Sequence, residues 1–186
     1  MQSKRIIKFF TILIIFLIQF LFLFSIINER IENDLVPYII LILCVLLLIA
    51  YRKFPLHHNE YSFDRKTLVL WIPIAALVTY LINNQLGLGG VFSVGIIGTL
   101  GSFLTKLNSR SEYLKQIEAP IYCGAFIGMT SLDFKYAYWM IITAGVFTAL
   151  LFFATKSLFV GLGGKLGTLA FIGVLLSMLL FKLIVG

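Results

Sequence analysis

Charge is scarce in this chain. Asp, Glu, Lys and Arg supply 12% of its 186 residues, and 60% are hydrophobic. A soluble domain carries about 25% charged and about 45–50% apolar residues. Too few polar groups are left to wet a globular surface, which excludes a soluble enzyme, a disordered tail and a nucleic-acid-binding module. Cysteine is nearly absent too. Cys44 and Cys123 both lie in apolar runs and read as small buried hydrophobes, so no disulfide framework is expected. No apolar run carries an acidic residue in its middle, which argues against a carboxylate-based proton or sodium relay. The HExxH, GxSxG and Walker patterns are missing. His57 and His58 stand side by side without the cysteine or carboxylate spacing of a metal site. The expectation is a non-enzymatic protein with no cofactor or metal, solvated by a lipid bilayer.

What is there is a series of apolar runs. A span needs about 20 apolar residues, so the chain has room for six or seven. Ile6 to Ile27 is the first, with Lys4, Arg5 and Lys8 at its start. It exceeds a signal-peptide core and has no small-x-small cleavage site, so it reads as an uncleaved helix. Val36 to Tyr51 is the second, with Pro37 in its first turn, and Thr67 to Ile82 the third, with a bend expected at Pro73. Gly87 to Phe103 is the fourth. A polar stretch follows from Thr105 to Glu118, then a 14-residue segment from Ala119 to Leu132, which reads as a short crossing or a re-entrant loop. Tyr136 to Ala154 and Leu158 to Val185 complete the set.

The basic residues orient these runs. Eleven lie at the N-terminus and in the stretches 52–66, 105–118 and 155–157, against Arg30 and Lys135 on the opposite side. Positive loops stay inside, which predicts a cytoplasmic N-terminus in a bacterial inner membrane.

Glycine divides the chain. All 15 glycines lie at or after position 87. Bulky helices face lipid, whereas glycine lets helices approach closely or break. Gly87-Leu88-Gly89-Gly90 recurs as Gly161-Leu162-Gly163-Gly164, each copy following a full span and opening another apolar helix. If the 119–132 segment crosses once, spans 2–4 and 5–7 form two three-helix units of opposite orientation. The fold class expected is an all-α polytopic membrane protein of about seven transmembrane segments. It comprises two inverted three-helix repeats, an extra N-terminal helix and one short or re-entrant segment. Its single integral membrane domain, 1–186, divides into an N-terminal helix and loop at 1–35, repeat unit 1 at 36–118 and repeat unit 2 at 119–186.

A helix that starts at membrane depth presents N–H groups without partners and a partial positive charge, which an anion can satisfy. Gly87, Gly89, Gly90, Gly161, Gly163 and Gly164 would let a solute reach that backbone. Lys165 would add a full charge, Ser93 and Thr168 hydroxyls, and Cys123, Thr130 and Ser131 a lining of small polar groups. The function expected is a small transporter or channel for a small anionic solute. Its partners would be the lipid bilayer and a solute or ion, with a homo-oligomer as a further expectation and no nucleic acid. The alternative is a non-transporting membrane subunit or assembly factor. Its glycines, in small-xxx-small pairs such as Gly89/Ser93, Gly95/Thr99 and Gly98/Ser102, would serve helix packing, and Lys165 would reach an interface.

Overall fold

The computed structural model describes residues 2–29, 66–108, 111–131, 135–155 and 164–185, with positions 38, 42, 45, 46 and 49. Most of the second expected span, the histidine pair, Gly161 and Gly163 lie outside the described residues. The regular elements among the described residues are all helical: α1 (Gln2–Glu29), α2 (Lys66–Val69), α3 (Trp71–Asn84), α4 (Gly90–Leu107), α5 (Glu112–Gly128), α6 (Ala137–Ala154) and α7 (Lys165–Val185). The chain divides into two compact units, with α1 in one and α2 to α7 in the other. Helix α1 is apolar on most of its surface, exposing Phe9, Phe10, Leu17 and Phe20.

Among the described residues of the second unit, four helical stretches are long and apolar enough to cross a membrane: Thr67–Asn84, Gly90–Leu107, Ala137–Ala154 and Lys165–Ile184. The first of these is interrupted at Leu70, between α2 and α3. Pro73 accounts for the break. It has no N–H for the carbonyl four residues earlier, and its ring crowds that carbonyl. Leu70 itself keeps helical backbone, with φ −64° and ψ −24°, so Thr67–Asn84 continues as one apolar stretch past the proline.

The reading of 105–132 is corrected. Helix α4 runs on to Leu107, and a short turn leads to α5, which is continuous for 17 residues from Glu112 to Gly128. The polar stretch is mostly helix, and the segment after it is no re-entrant loop. Ser111 caps α5 by accepting from the Leu114 N–H at 3.4 Å. Glu112 lies in the first turn, where its charge complements the helix dipole, and Lys115 pairs with it at 3.2 Å. At about 1.5 Å per residue, α5 is about 25 Å long. Pro120 sits within it, next to residues packed on all sides.

Helix α5 occupies the middle of the unit and packs against all the other helices there. It runs parallel to α3, since Gly124 lies against Ile72 and Ala75, and Gly128 against Ala76 and Thr79. Helix α4 is antiparallel to α5, with Gly90 at Met129, Gly98 at Tyr122 and Gly101 at Ile121. Helix α6 is antiparallel to α3, with Gly145 at Pro73. Helix α7 is antiparallel to α6, Ser177 lying near Met140 and Leu169 near Thr148. The core is made of Leu68, Ile72, Ile117, Ile127, Met140, Ile141, Leu169 and Ile172, each almost wholly enclosed.

Candidate functional site

The structure distributes the sequence-derived site over two places. The first is the end of the bundle where α3 and α5 finish and α4 begins. Gly87 and Gly89 have φ of +64° and +80°, so the chain turns there through backbone that favours glycine. Gly89 is the N-cap of α4, and Gly90 is its first residue. The Ser93 N–H and hydroxyl both donate to the Gly89 carbonyl, at 3.1 and 2.7 Å. A Cβ on Gly90 would stand 3.0 Å from the Met129 carbonyl oxygen. Thr130 and Ser131 follow Met129 in the chain, so Gly87, Gly89, Gly90, Ser93, Thr130 and Ser131 belong to this one end of the bundle. Asn83 Nδ2 donates to the carbonyls of Gly128 and Met129 at 3.4 and 3.2 Å, giving partners to the end of α5. Gln85 Nε2 donates to the Tyr138 hydroxyl at 2.8 Å, which ties the same end to α6.

The second place is the start of α7. Gly164 has φ +82°, and the helix begins at Lys165. The Thr168 N–H and hydroxyl donate to the Gly164 carbonyl at 2.9 and 3.1 Å. The two helix starts are therefore alike: a left-handed glycine whose carbonyl takes both the amide and the hydroxyl of the residue four positions on. Their register departs from the sequence repeat by one residue, because the repeat aligns Gly90, not Gly89, with Gly164. Lys165 Nζ donates to the Thr155 carbonyl at 2.5 Å, placing its charge on the last turn of α6. The Cys123 thiol is fully enclosed and donates to the Leu166 carbonyl at 3.4 Å. Cys123, Gly164, Lys165 and Thr168 thus form the second group.

These groups belong to opposite ends of the bundle. Helix α7 runs parallel to α3 and α5, and α4 runs against them. Helices α4 and α7 are not a packed pair among the described elements.

A third group was missed by sequence reasoning. Glu118 lies six residues past the start of α5, half-buried where the helix faces α4. Its Oε1 accepts from the Ser102 hydroxyl at 2.7 Å, and that hydroxyl is 3.3 Å from the Tyr122 hydroxyl. All three side chains are half-buried in the α4–α5 seam. The four membrane-crossing stretches carry no acidic residue, as expected, and Glu118 stands outside them on α5, which begins before it rather than after it. Ser111 followed by Glu112 is an N-cap signal that would have located that start.

The chain matches no family model, no curated protein and no solved structure.

Proposed function

We propose that this chain is a small integral membrane transport protein for a solute carrying negative charge. One observation carries the reading: α4 and α7 leave from opposite ends of one bundle through the same glycine-capped geometry. Helices started by glycine, in opposite directions, are what inverted-repeat transporters place around a solute. Each start offers first-turn N–H groups, and glycine lets a ligand reach them. Lys165 adds a full positive charge beside the second start. In this reading the protein lies in a bacterial inner membrane with its N-terminus inside, and spans 2–4 and 5–7 are related by inversion. Reporter fusions at Lys66 and Gly186 test that topology, with opposite sides expected.

A second reading has its own observation. Gly98, Gly101, Gly124, Gly128, Gly145 and Gly173 lie at helix crossings where a Cβ would meet a neighbouring helix. Lys165 also closes the end of α6. Both features suit a membrane subunit whose glycines serve packing alone.

Reconstitution separates the two. Liposomes containing the protein should release trapped inorganic phosphate or small carboxylates faster than protein-free liposomes. The Lys165→Met variant should reduce that flux about tenfold, the equivalent of about 1.4 kcal/mol, while remaining folded by circular dichroism. No flux above protein-free liposomes for any of these anions favours the packing subunit.

A further inference from the structure

We propose that the outward face of α4 holds one anionic phospholipid, with an acyl chain in an apolar groove along the helix and the phosphate at Lys106. The groove has a volume of about 490 Å³ and runs along α4 from Val91 to Phe103. Gly95 and Thr99 are its small members, and Phe92, Leu100 and Phe103, all exposed, stand around them. Nothing lies within 4 Å of a Cβ added at Gly95, so the missing side chain leaves open space rather than a helix contact. Thr99 carries the one polar side chain in the lining, and its hydroxyl is satisfied by the Gly95 carbonyl at 2.7 Å. Nothing in the groove asks for a polar occupant.

Length and charge select the occupant. From Val91 to Phe103, at about 1.5 Å per residue, the groove is about 18 Å long, close to half of a hydrocarbon core about 30 Å thick. That is the depth one acyl chain takes up in its leaflet. Lys106 lies in the last turn of α4 and shares a face with Gly95 and Thr99 at helical spacing. Its Nζ is 5.4 Å from the centre of the Phe103 ring, so the charge stands where the groove ends. No carboxylate among the described residues pairs with Lys106. Glu112 is paired with Lys115 at 3.2 Å, and Glu118 accepts from Ser102 at 2.7 Å in the α4–α5 seam. An apolar channel closed by a cation without a counter-ion complements an apolar tail with an anionic head. Basic residues at the membrane surface attract such headgroups.

A second copy of the chain fits this face less well. Two copies inserted the same way and related by a two-fold axis normal to the bilayer would bring their α4 helices together in parallel. Each Lys106 would then lie beside the partner's Lys106, and the lining from Val91 to Phe103 carries no carboxylate to offset the repulsion. A zwitterionic lipid fills the groove equally well but brings a positive group of its own to the lysine. Lipid capture requires α4 to cross a bilayer, as its length and composition allow, and is independent of transport.

Native mass spectrometry of the full chain released from detergent tests this, with phosphatidylglycerol and phosphatidylcholine of identical acyl chains offered together. The anionic lipid should be retained about fivefold more strongly, the preference one surface lysine supplies. Lys106→Met should abolish that preference. Lys182→Met, in the last turn of α7 at the other end of the bundle, should leave it unchanged. Gly95→Leu fills the groove and should weaken both lipids alike without altering their ratio. Lys106 and Gly95 are both exposed on α4, so these variants should fold, with circular dichroism as the check. Equal retention of the two lipids, or a preference that survives Lys106→Met, overturns the assignment. Lipid binding indifferent to Gly95→Leu also overturns it, since another part of the chain would then fill the groove. Dimers that Gly95→Leu disperses would give the face to a second copy instead.

Discussion

Glycine does two different jobs in this molecule, and the contrast between them explains how the fold is built. At Gly124 and Gly128 on α5, a Cβ would run into the carbonyls of Ile72 and Ala76 on α3. The missing side chain is itself the contact. Backbone meets backbone, which gives dispersion and Cα–H···O contacts in a medium where no hydrophobic effect pulls helices together. At Gly89 and Gly164 nothing lies within 4 Å of an added Cβ, yet φ is +80° and +82°. Space is free there, and the backbone angle is the constraint. The first kind holds the unit together, and the second decides where helices begin.

The largest effect is expected at the crossing. Gly128→Val should cost about 3 kcal/mol or more, since neither α3 nor α5 can retreat without opening the core around Ile72 and Ile127. Unfolding in mixed detergent micelles would measure it. Loss of the folded state altogether fits the same expectation, whereas a change below 1 kcal/mol would mean that the α3–α5 contact is loose.

Next come the helix starts. Gly89→Ala places an L side chain at φ +80°, ψ 153°, a region close to glycine-only, and should cost about 1–3 kcal/mol. Its readout differs from that at Gly128: faster amide exchange confined to the first turn of α4, with the rest of the unit unaffected. Equal loss of protection throughout the unit would erase the distinction between the two kinds of glycine.

Smaller still is the polar contact between α6 and α7. Ser177 Oγ is 2.6 Å from Thr143 Oγ1 and donates to the Met140 carbonyl at 2.8 Å. Interhelical hydrogen bonds in membranes average about 0.6 kcal/mol, so Ser177→Ala should cost about that much by the same detergent titration.

The contrast also marks what the sequence carried. The runs at Thr67 to Ile82, Gly87 to Phe103 and Tyr136 to Ala154 correspond to helices because apolar residues between polar turns have no other stable form in lipid. Helix α5 was hidden by its composition. Glu112, Lys115, Gln116 and Glu118 look like a loop when polarity alone is weighed. Yet Ile117, Ile121, Gly124 and Gly128 repeat at helical spacing across the supposed boundary, and all four are buried. Periodicity held the answer that polarity obscured. The same slip put Glu118 in a loop rather than on a helix. The helix starts at the glycines were legible from residue type alone. That they lie at opposite ends was conditional on the 119–132 segment crossing once, and three successive antiparallel steps from α4 to α7 meet that condition.

One glycine fits neither class, and it makes the sharpest small test. Gly95 lies mid-helix in α4 with ordinary helical backbone, and an added Cβ would meet nothing within 4 Å. Its neighbours Val91, Phe92 and Leu100 are exposed, and Thr99 turns its hydroxyl back to the Gly95 carbonyl at 2.7 Å. With no contact to lose and no strained angle to hold, only the conformational freedom of glycine is at stake. Gly95→Ala should therefore stabilise the protein, by about 0.5–1 kcal/mol. The sign is the useful part. A destabilising Gly95→Ala in lipid would mean that a neighbouring helix covers this face of α4, and Gly95/Thr99 would then act as a small-xxx-small pair. Stability that depends on protein concentration would identify that neighbour as a second copy of the chain. A stabilising change, independent of concentration, assigns the face to lipid.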